Sequence, residues 1–293
     1  MALACPQCGG SLEHADAVLR CSGCGASYPL VEGVPVLLRE SLSEQHRHQR
    51  AYFDAEFSGY EEYRLENWRL SFIERIFTAV GVLDGGKPYL DVGVGGSGAT
   101  VIEAARRSID AVGCDLSVAG VVAARRFAAD QGVERHARFV VCAAERLPFP
   151  DGTFGSASAV ALLEHLDDDS RAVAELARVV RPGSRVWLTV PHAFRYIPPP
   201  VWPLYWWHDR RIGHKRHYDE RRLAELCAEH GLQHVETFFS GHPIKFLQLA
   251  LSLALPAVRR TGSPLWWRLE RRDRARSGRK FGALQLNAVF ERR

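Results

Sequence analysis

Two groups of residues in this 293-residue chain have the types and spacing to do chemistry. The first is Cys5-Pro-Gln-Cys8 and Cys21-Ser-Gly-Cys24, two C-x-x-C knuckles with twelve residues between them. Each knuckle puts two thiolates on one tight turn, and two knuckles together supply the four sulfurs that structural zinc prefers. Four cysteine ligands leave no open coordination position, so the zinc expected at Cys5, Cys8, Cys21 and Cys24 is structural. Paired disulfides conflict with a chain read as cytoplasmic. A redox pair is disfavoured by the presence of two knuckles without a thioredoxin-like context. Cys114, Cys142 and Cys227 stand singly in apolar or helical surroundings and read as small buried hydrophobes.

The second group is the stretch Tyr89-Leu90-Asp91-Val92, an apolar run leading into Gly93, Gly95, Gly96 and Gly98. Gly93, Gly95 and Gly98 satisfy the G-x-G-x-x-G spacing, which lets backbone approach a nucleotide-containing ligand without Cβ interference. Asp115 follows Gly93 by twenty-two residues, where a carboxylate can accept hydrogen bonds from both hydroxyls of a ribose. A nicotinamide dinucleotide and S-adenosylmethionine would both use it. Asp91 separates the two, because an anion before the loop suits an α-ammonium and a sulfonium better than a pyrophosphate.

Strands and helices must alternate to position these residues. Apolar strand signals fall at 111–116, 137–144, 155–163 and 184–190. Val173, Leu176, Ala177 and Val180 recur at helical spacing between the last two, with Asp169 or Ser170 as the expected N-cap and Pro182-Gly183 as the stop. Such alternation predicts an α/β fold with a mostly parallel sheet, its ligand at the carboxyl ends of the strands. The polar stretch Arg39 to Arg50 reads as a linker or a solvated helix start, which divides the chain into two domains.

The segments "LDVGVGGSG", "GCDLS", "AERLPFPDGTF", "LLEHLDD" and "RVVRPGSRVWLTVP" resemble, in order and spacing, the class I S-adenosylmethionine-dependent methyltransferases. The resemblance spans about Tyr52 to Arg293. It implies a Rossmann-like fold with a mostly parallel seven-stranded sheet and helices on both faces. Residues Leu3 to Leu38 resemble the small zinc-ribbon proteins that accompany methyltransferases, with a closing strand pair that turns at Glu32-Gly33. The implied boundaries are a β-rich ribbon over 1–40 and a methyltransferase domain over 41–293. Within the latter, a substrate lid is expected over 192–218 and a second cap segment over 241–282.

Carried over by position, the resemblance implies that Asp91, Gly93 and Gly95 contact the methionine part of the cofactor, with Gly96 and Gly98 completing the loop. Asp115 would hold the ribose and Leu116 would pack on the adenine. Ala143, Ala144 and Glu145 would border the adenine edge; Ala143 stands where the family usually has an aspartate, so one contact to the adenine amino group is lost unless Glu145 supplies it. Leu162, Glu164 and His165 would form the floor beneath the reactive methyl.

For the acceptor, "GHKRHY" at 213–218 resembles a G-H-x-R-x-Y signature that precedes a helix, here expected over Asp219 to His230. Trp202, Trp206, Trp207 and Tyr218 are candidate apolar walls, and Arg210, Arg211 and Arg216 are candidates for holding an anionic group. His165, His214 and His217 are candidate general bases, since imidazole titrates near the working range.

The leading functional expectation is methyl transfer to a small, partly apolar or anionic acceptor in a biosynthetic pathway of natural-product or quinone type. An RNA-base methyltransferase is the alternative. A ribbon with only Arg20 and Arg39 as basic residues argues against a nucleic-acid partner. A cofactor-binding module without catalysis is the second alternative. Net charge is +4, and eleven Arg and Lys against three acids concentrate positive charge from Arg259 to Arg293. The apolar stretch Ile244 to Val258, packed on the sheet or on a lipid, is shorter than the roughly 20 residues a membrane span needs. No signal peptide is recognised at the N-terminus.

Overall fold

The computed structural model describes residues 2–39, 42–63, 65, 67–84, 86–242, 268 and 271–293. The stretch Ile244 to Val258, and with it most of the expected 241–282 cap, lies outside the described residues. Among the described residues no helix is long and apolar enough to cross a membrane.

The N-terminal cysteines sit on a four-stranded antiparallel sheet of β1 (Leu12–Ala15), β2 (Val18–Cys21), β3 (Ser27–Val31) and β4 (Val34–Pro35). The hairpin joining β3 to β4 turns at Glu32-Gly33, both with positive φ (48° and 76°), as a two-residue primed turn requires.

The second sheet has seven strands among the described residues. These are β5 (Tyr89–Val92), β6 (Ala111–Asp115), β7 (Ala137–Val141), β8 (Phe154–Val160), β9 (Val180–Pro191), β10 (Leu232–Ser240) and β11 (Gln285–Arg292). Their spatial order is β10-β11-β9-β8-β5-β6-β7. β11 lies between β9 and β10 and runs antiparallel to both, while the other strand pairs of this sheet are parallel. The order reverses at β5, so the crevice at the carboxyl ends of β5, β6 and β8 is the place for a ligand. The helices are α1 (Glu44–Phe57), α2 (Asn67–Val80), α3 (Ala99–Ala105), α4 (Val118–Asp130), α5 (Asp169–Val179), α6 (Trp202–Ile212) and α7 (Glu220–Ala228). This is the Rossmann-like α/β architecture expected, preceded by a small β-rich unit.

Two local expectations are corrected. The α5 N-cap is Asp168, whose Oδ1 accepts from the Arg171 amide at 2.8 Å, rather than Asp169 or Ser170. Pro182-Gly183 does not stop that helix. It ends at Val179, and β9 already begins at Val180, with the Pro-Gly step inside a register shift against β8. Of the two readings of Arg39 to Arg50, the helix start holds: Ser43 accepts from the His46 amide at 3.1 Å and caps α1, which begins at Glu44.

The two sheets share a core. Val36 bridges Val141 in parallel, and the Leu37 amide donates to the Val141 carbonyl at 2.8 Å. Ala4 donates to the Pro148 carbonyl at 2.9 Å. Leu37, Cys5, Leu19 and Tyr28 belong to the same buried cluster as Val140 and Cys142. The small sheet therefore covers the outer edge of β7, which would otherwise present unpaired backbone groups. Leu37→Ala should cost about 2–5 kcal/mol, the range for deleting a buried leucine side chain. Denaturant unfolding should show the loss as one shifted transition for both sheets. An early separate transition of the N-terminal residues would contradict the shared core.

Candidate functional site

The glycine loop after β5 is built for close approach. Gly93, Gly95 and Gly98 all have positive φ, and Gly98 caps α3 in the left-handed conformation. A Cβ on Gly96 would lie 2.9 Å from the Phe57 ring, so that position is closed to side chains by α1. Asp115, at the end of β6, faces the loop. Its Oδ2 accepts from the Gly95 amide at 3.0 Å and its Oδ1 from the Ser117 amide at 2.9 Å. A carboxylate has about four acceptor sites, so the group keeps capacity for a further donor.

These residues line a cleft of about 210 Å³. Gly93, Gly95, Asp115, Leu116, Ala144, Glu145, Leu162 and His165 all contribute to its wall. Asp91, Gly96 and Gly98 do not line it and support it from behind. Asp91 is buried, with Ser158 Oγ donating to its Oδ1 at 2.5 Å and the Thr100 hydroxyl donating to its Oδ2. Tyr89 extends the chain through Ser158 Oγ at 2.5 Å. Burial pushes the Asp91 carboxyl up to about 6, against the pull of these donors. A cation brought near would draw it back toward ionisation.

The roof of the cleft is α1, which the sequence reading missed. His46, Gln49, Phe53 and Phe57 line it. Three anchors hold the helix down. Asp54 Oδ1 accepts from Ser117 Oγ at 2.5 Å and from the Ala119 amide at 3.0 Å. His46 Nε2 donates to Glu145 Oε1 at 3.1 Å, and Gln45 Nε2 donates to the His165 carbonyl at 3.1 Å. A Cβ on Gly120 would come within 2.6 Å of the Phe57 ring, so that glycine gives the phenyl its seat. The available signal was Phe53 and Phe57 four residues apart, on one face of a helix that begins in a polar stretch.

The floor follows β8. Ala161 has φ 52°, uncommon for a residue with a side chain, and Leu162 then starts the short turn holding Glu164 and His165. Glu164 is 1% exposed, and burial pushes its carboxyl up to about 8. His165 stands edge-on to the rings of Phe53 and His214, at 5.6 and 4.9 Å between centroids. His214 Nδ1 donates to Asp209 Oδ1 at 2.8 Å, while His217 Nε2 lies 2.8 Å from Asp209 Oδ2. The structure thus gathers His165, His214 and His217 into one cluster around Glu164 and Asp209, but only His165 reaches the cleft wall. Asp209 carried no motif in the sequence.

The remaining acceptor candidates are not brought to the cleft. Trp202, Trp206 and Trp207 are 43%, 51% and 54% exposed, because α6 turns Tyr205 and Asp209 inward instead. Arg210 and Arg211 are exposed and lie over the rings of Trp206 and Trp207. Arg216 pairs with Asp169 at 2.7 Å, and the Tyr218 hydroxyl donates to the other oxygen of Asp169 at 2.6 Å. In this arrangement Arg216 and Tyr218 tie the 213–218 segment to α5. As expected, α7 follows, capped by Asp219.

The four N-terminal cysteines converge. Their sulfurs all lie within 4.8 Å of one another, with Cys5 and Cys24 at 3.7 Å and Cys8 and Cys21 at 3.4 Å. A tetrahedron with metal–sulfur bonds of about 2.3 Å has edges of roughly 3.8 Å, so the donor set fits a zinc-sized ion. A Cβ on Gly10 would fall 3.1 Å from Cys21 Sγ and 3.3 Å from Cys8 Sγ, so glycine keeps the cluster clear.

The profile of the family described as methyltransferase domain matches residues 90–188. Norajmaline N-methyltransferase of Rauvolfia serpentina is 32% identical over 142 residues, 48% of each chain. A probable chloroplastic tocopherol O-methyltransferase of Oryza sativa subsp. japonica is 32% identical over 222 residues, 75% of this chain and 57% of that protein. The chain thus spans about half the length of these curated relatives. The crystal structure of geranyl diphosphate C-methyltransferase from Streptomyces coelicolor A3(2) superposes with a TM-score of 0.64 at 16% identity. That superposition covers 86% of this chain and 99% of that one. Residues 90–188, from the first strand of the large sheet through most of β9, thus carry a methyltransferase domain within the Rossmann-like class I methyltransferase fold.

Proposed function

We propose that the protein transfers a methyl group from S-adenosylmethionine to a small-molecule acceptor. The observation that carries this reading is Asp115, set at the end of β6 against the glycine-loop amides and open to the cleft. Small-molecule methyltransferases among the relatives support it, from alkaloid N- to tocopherol O-methyltransferases.

S-adenosylmethionine supplies a methyl already activated on a sulfonium. The chain's own residues bind, orient and exclude water. Asp115 would accept hydrogen bonds from the ribose hydroxyls, Leu116 would pack on the adenine, and Ala144 and Glu145 would border its edge. Asp91 supplies the negative potential behind the loop that favours a cationic ligand. Phe53 and Phe57 close the cleft from above, which removes water and strengthens electrostatic alignment. Orientation in such a site contributes up to about 7–11 kcal/mol. Where the acceptor is a hydroxyl, His165 is the group on the cleft wall able to take its proton.

The acceptor is read as small, partly apolar and carrying an anionic group. An anionic substrate, geranyl diphosphate, occupies the Streptomyces structure. Arg210, Arg211 and Arg216 would have to leave their present partners to serve it, as would Trp202, Trp206, Trp207 and Tyr218. The ribbon is read as holding one structural zinc on Cys5, Cys8, Cys21 and Cys24. Four reduced thiolates suit a reducing compartment such as the cytoplasm.

Two measurements test these assignments. Asp115→Ala removes charge-assisted hydrogen bonds of about 1.5–3 kcal/mol each, so calorimetry should show S-adenosylmethionine affinity falling at least about tenfold. Binding of NADH in place of S-adenosylmethionine would reject the reading. Metal analysis of protein purified under reducing conditions should find zinc on the ribbon cysteines. Cys5→Ser or Cys24→Ser should release it and, through Leu37 and Val141, lower the melting temperature of the whole chain. Zinc-free wild-type protein with full stability would overturn the assignment.

A further inference from the structure

The cluster beside the floor of the cleft has the composition and geometry of a second metal centre. Glu164, His165 and His214 each present one ligand atom, and these atoms lie within 4.8 Å of one another. All three side chains are largely withdrawn from solvent.

Glu164 Oε1 and His214 Nε2 are 3.7 Å apart. That is too long for a hydrogen bond. It is close to the roughly 3.3–3.6 Å that separates two ligands on a tetrahedral ion with bonds of about 2.0–2.2 Å. The imidazole is already oriented for the task. Asp209 Oδ1 accepts from His214 Nδ1–H at 2.8 Å, which directs the basic Nε2 toward Glu164. A carboxylate holding the far nitrogen is the usual support for a metal-bound histidine. The Lys215 amide donates to the Glu164 carbonyl at 2.8 Å and locks the two segments together.

An independent observation points into the same space. Glu164 Oε2 is buried and has no hydrogen-bond partner among the described residues, in a side chain that is 99% buried. A carboxylate oxygen left so costs free energy unless something cationic or donating meets it.

We propose that Glu164, His165 and His214 bind a divalent first-row transition-metal cation, with Asp209 as the positioning residue for His214. Two imidazoles and one carboxylate favour zinc, iron(II), cobalt or manganese over magnesium. The centre is separate from the ribbon cysteines, and its existence does not depend on which reaction the cleft performs. His165 belongs both to this ligand set and to the cleft wall, so the ion adjoins the cofactor cleft and, when bound, replaces the His165 imidazole as the group that activates an acceptor hydroxyl. It gives the cleft a Lewis acid able to hold an acceptor oxygen.

Cobalt(II) is the probe. Titrated into full-length protein that carries a single zinc per chain, on the ribbon cysteines, it should add one equivalent with ligand-field absorption and no sulfur-to-cobalt charge-transfer band. Glu164→Gln and His214→Ala should abolish that equivalent while the ribbon keeps its zinc. Asp209→Asn, a milder change, should weaken it about 10–100-fold, as loss of a supporting carboxylate does. Circular dichroism and ribbon zinc content show whether each variant is folded, and Asp209→Asn carries the test if the others are not. Wild-type protein that takes up no cobalt beyond the ribbon would overturn the proposal. So would uptake showing only the sulfur charge-transfer band, or uptake that Asp209→Asn leaves unchanged.

Discussion

The seating of the Phe57 ring between the glycine loop and the start of α4 is the contact on which the cleft depends. Gly96 and Gly120 would each drive a Cβ into that ring, so two glycines far apart in the sequence are fixed by one phenyl group. Asp54, one turn earlier, adds hydrogen bonds to Ser117 and Ala119. The helix that carries both residues thereby becomes the roof of a site whose walls come from β5, β6 and β8. A sheet alone would leave these strand ends open to water. With the roof in place the cleft is enclosed on its apolar side, and its few polar groups act in a medium of lower dielectric.

Much of this was legible in the sequence where local chemistry decides the outcome. Gly93, Gly95 and Gly98 adopt left-handed backbone that disfavours side chains, so their spacing was informative. Asp115 terminates a strand because the next residues cap a helix. The cysteine knuckles converge because each is a self-contained turn. What escaped notice depends on tertiary packing. The start of α1 is polar, its apolar face has few residues, and only its neighbours show why Phe53 and Phe57 matter. Asp209 reads as one more charge on an aromatic helix until His214 and His217 are folded back upon it. The tryptophans of α6 looked like a ligand wall because composition does not show which face of a helix is buried.

The cluster of Glu164, Asp209, His214 and His217 shows how one surface segment can be made rigid by polar groups. Residues 213–218 lack regular structure over most of their length, yet Asp167, Asp169 and Asp209 through their side chains, and Glu164 through its backbone carbonyl, each hold a member of the segment. Lys215 meets Asp167 near the surface, Arg216 pairs with Asp169, and His214 and His217 share Asp209. Such pairing lets a short segment bridge α5, α6 and the floor of the cleft without an apolar core of its own.

The position of β11 has a kinetic consequence. Its residues, Gln285–Arg292, lie between β9 and β10 and satisfy the backbone groups of both. Until they arrive, two long strands carry open edges, and closing the gap requires joining stretches of chain that are distant in sequence. Such loop closure is slow relative to local helix formation. A partly assembled sheet with β9 and β10 exposed would be the species most prone to pair with another molecule. The half of the sheet that holds the glycine loop and Asp115 needs none of those residues for its own pairing, so the loop and the carboxylate can take their places before the far side of the sheet has sealed.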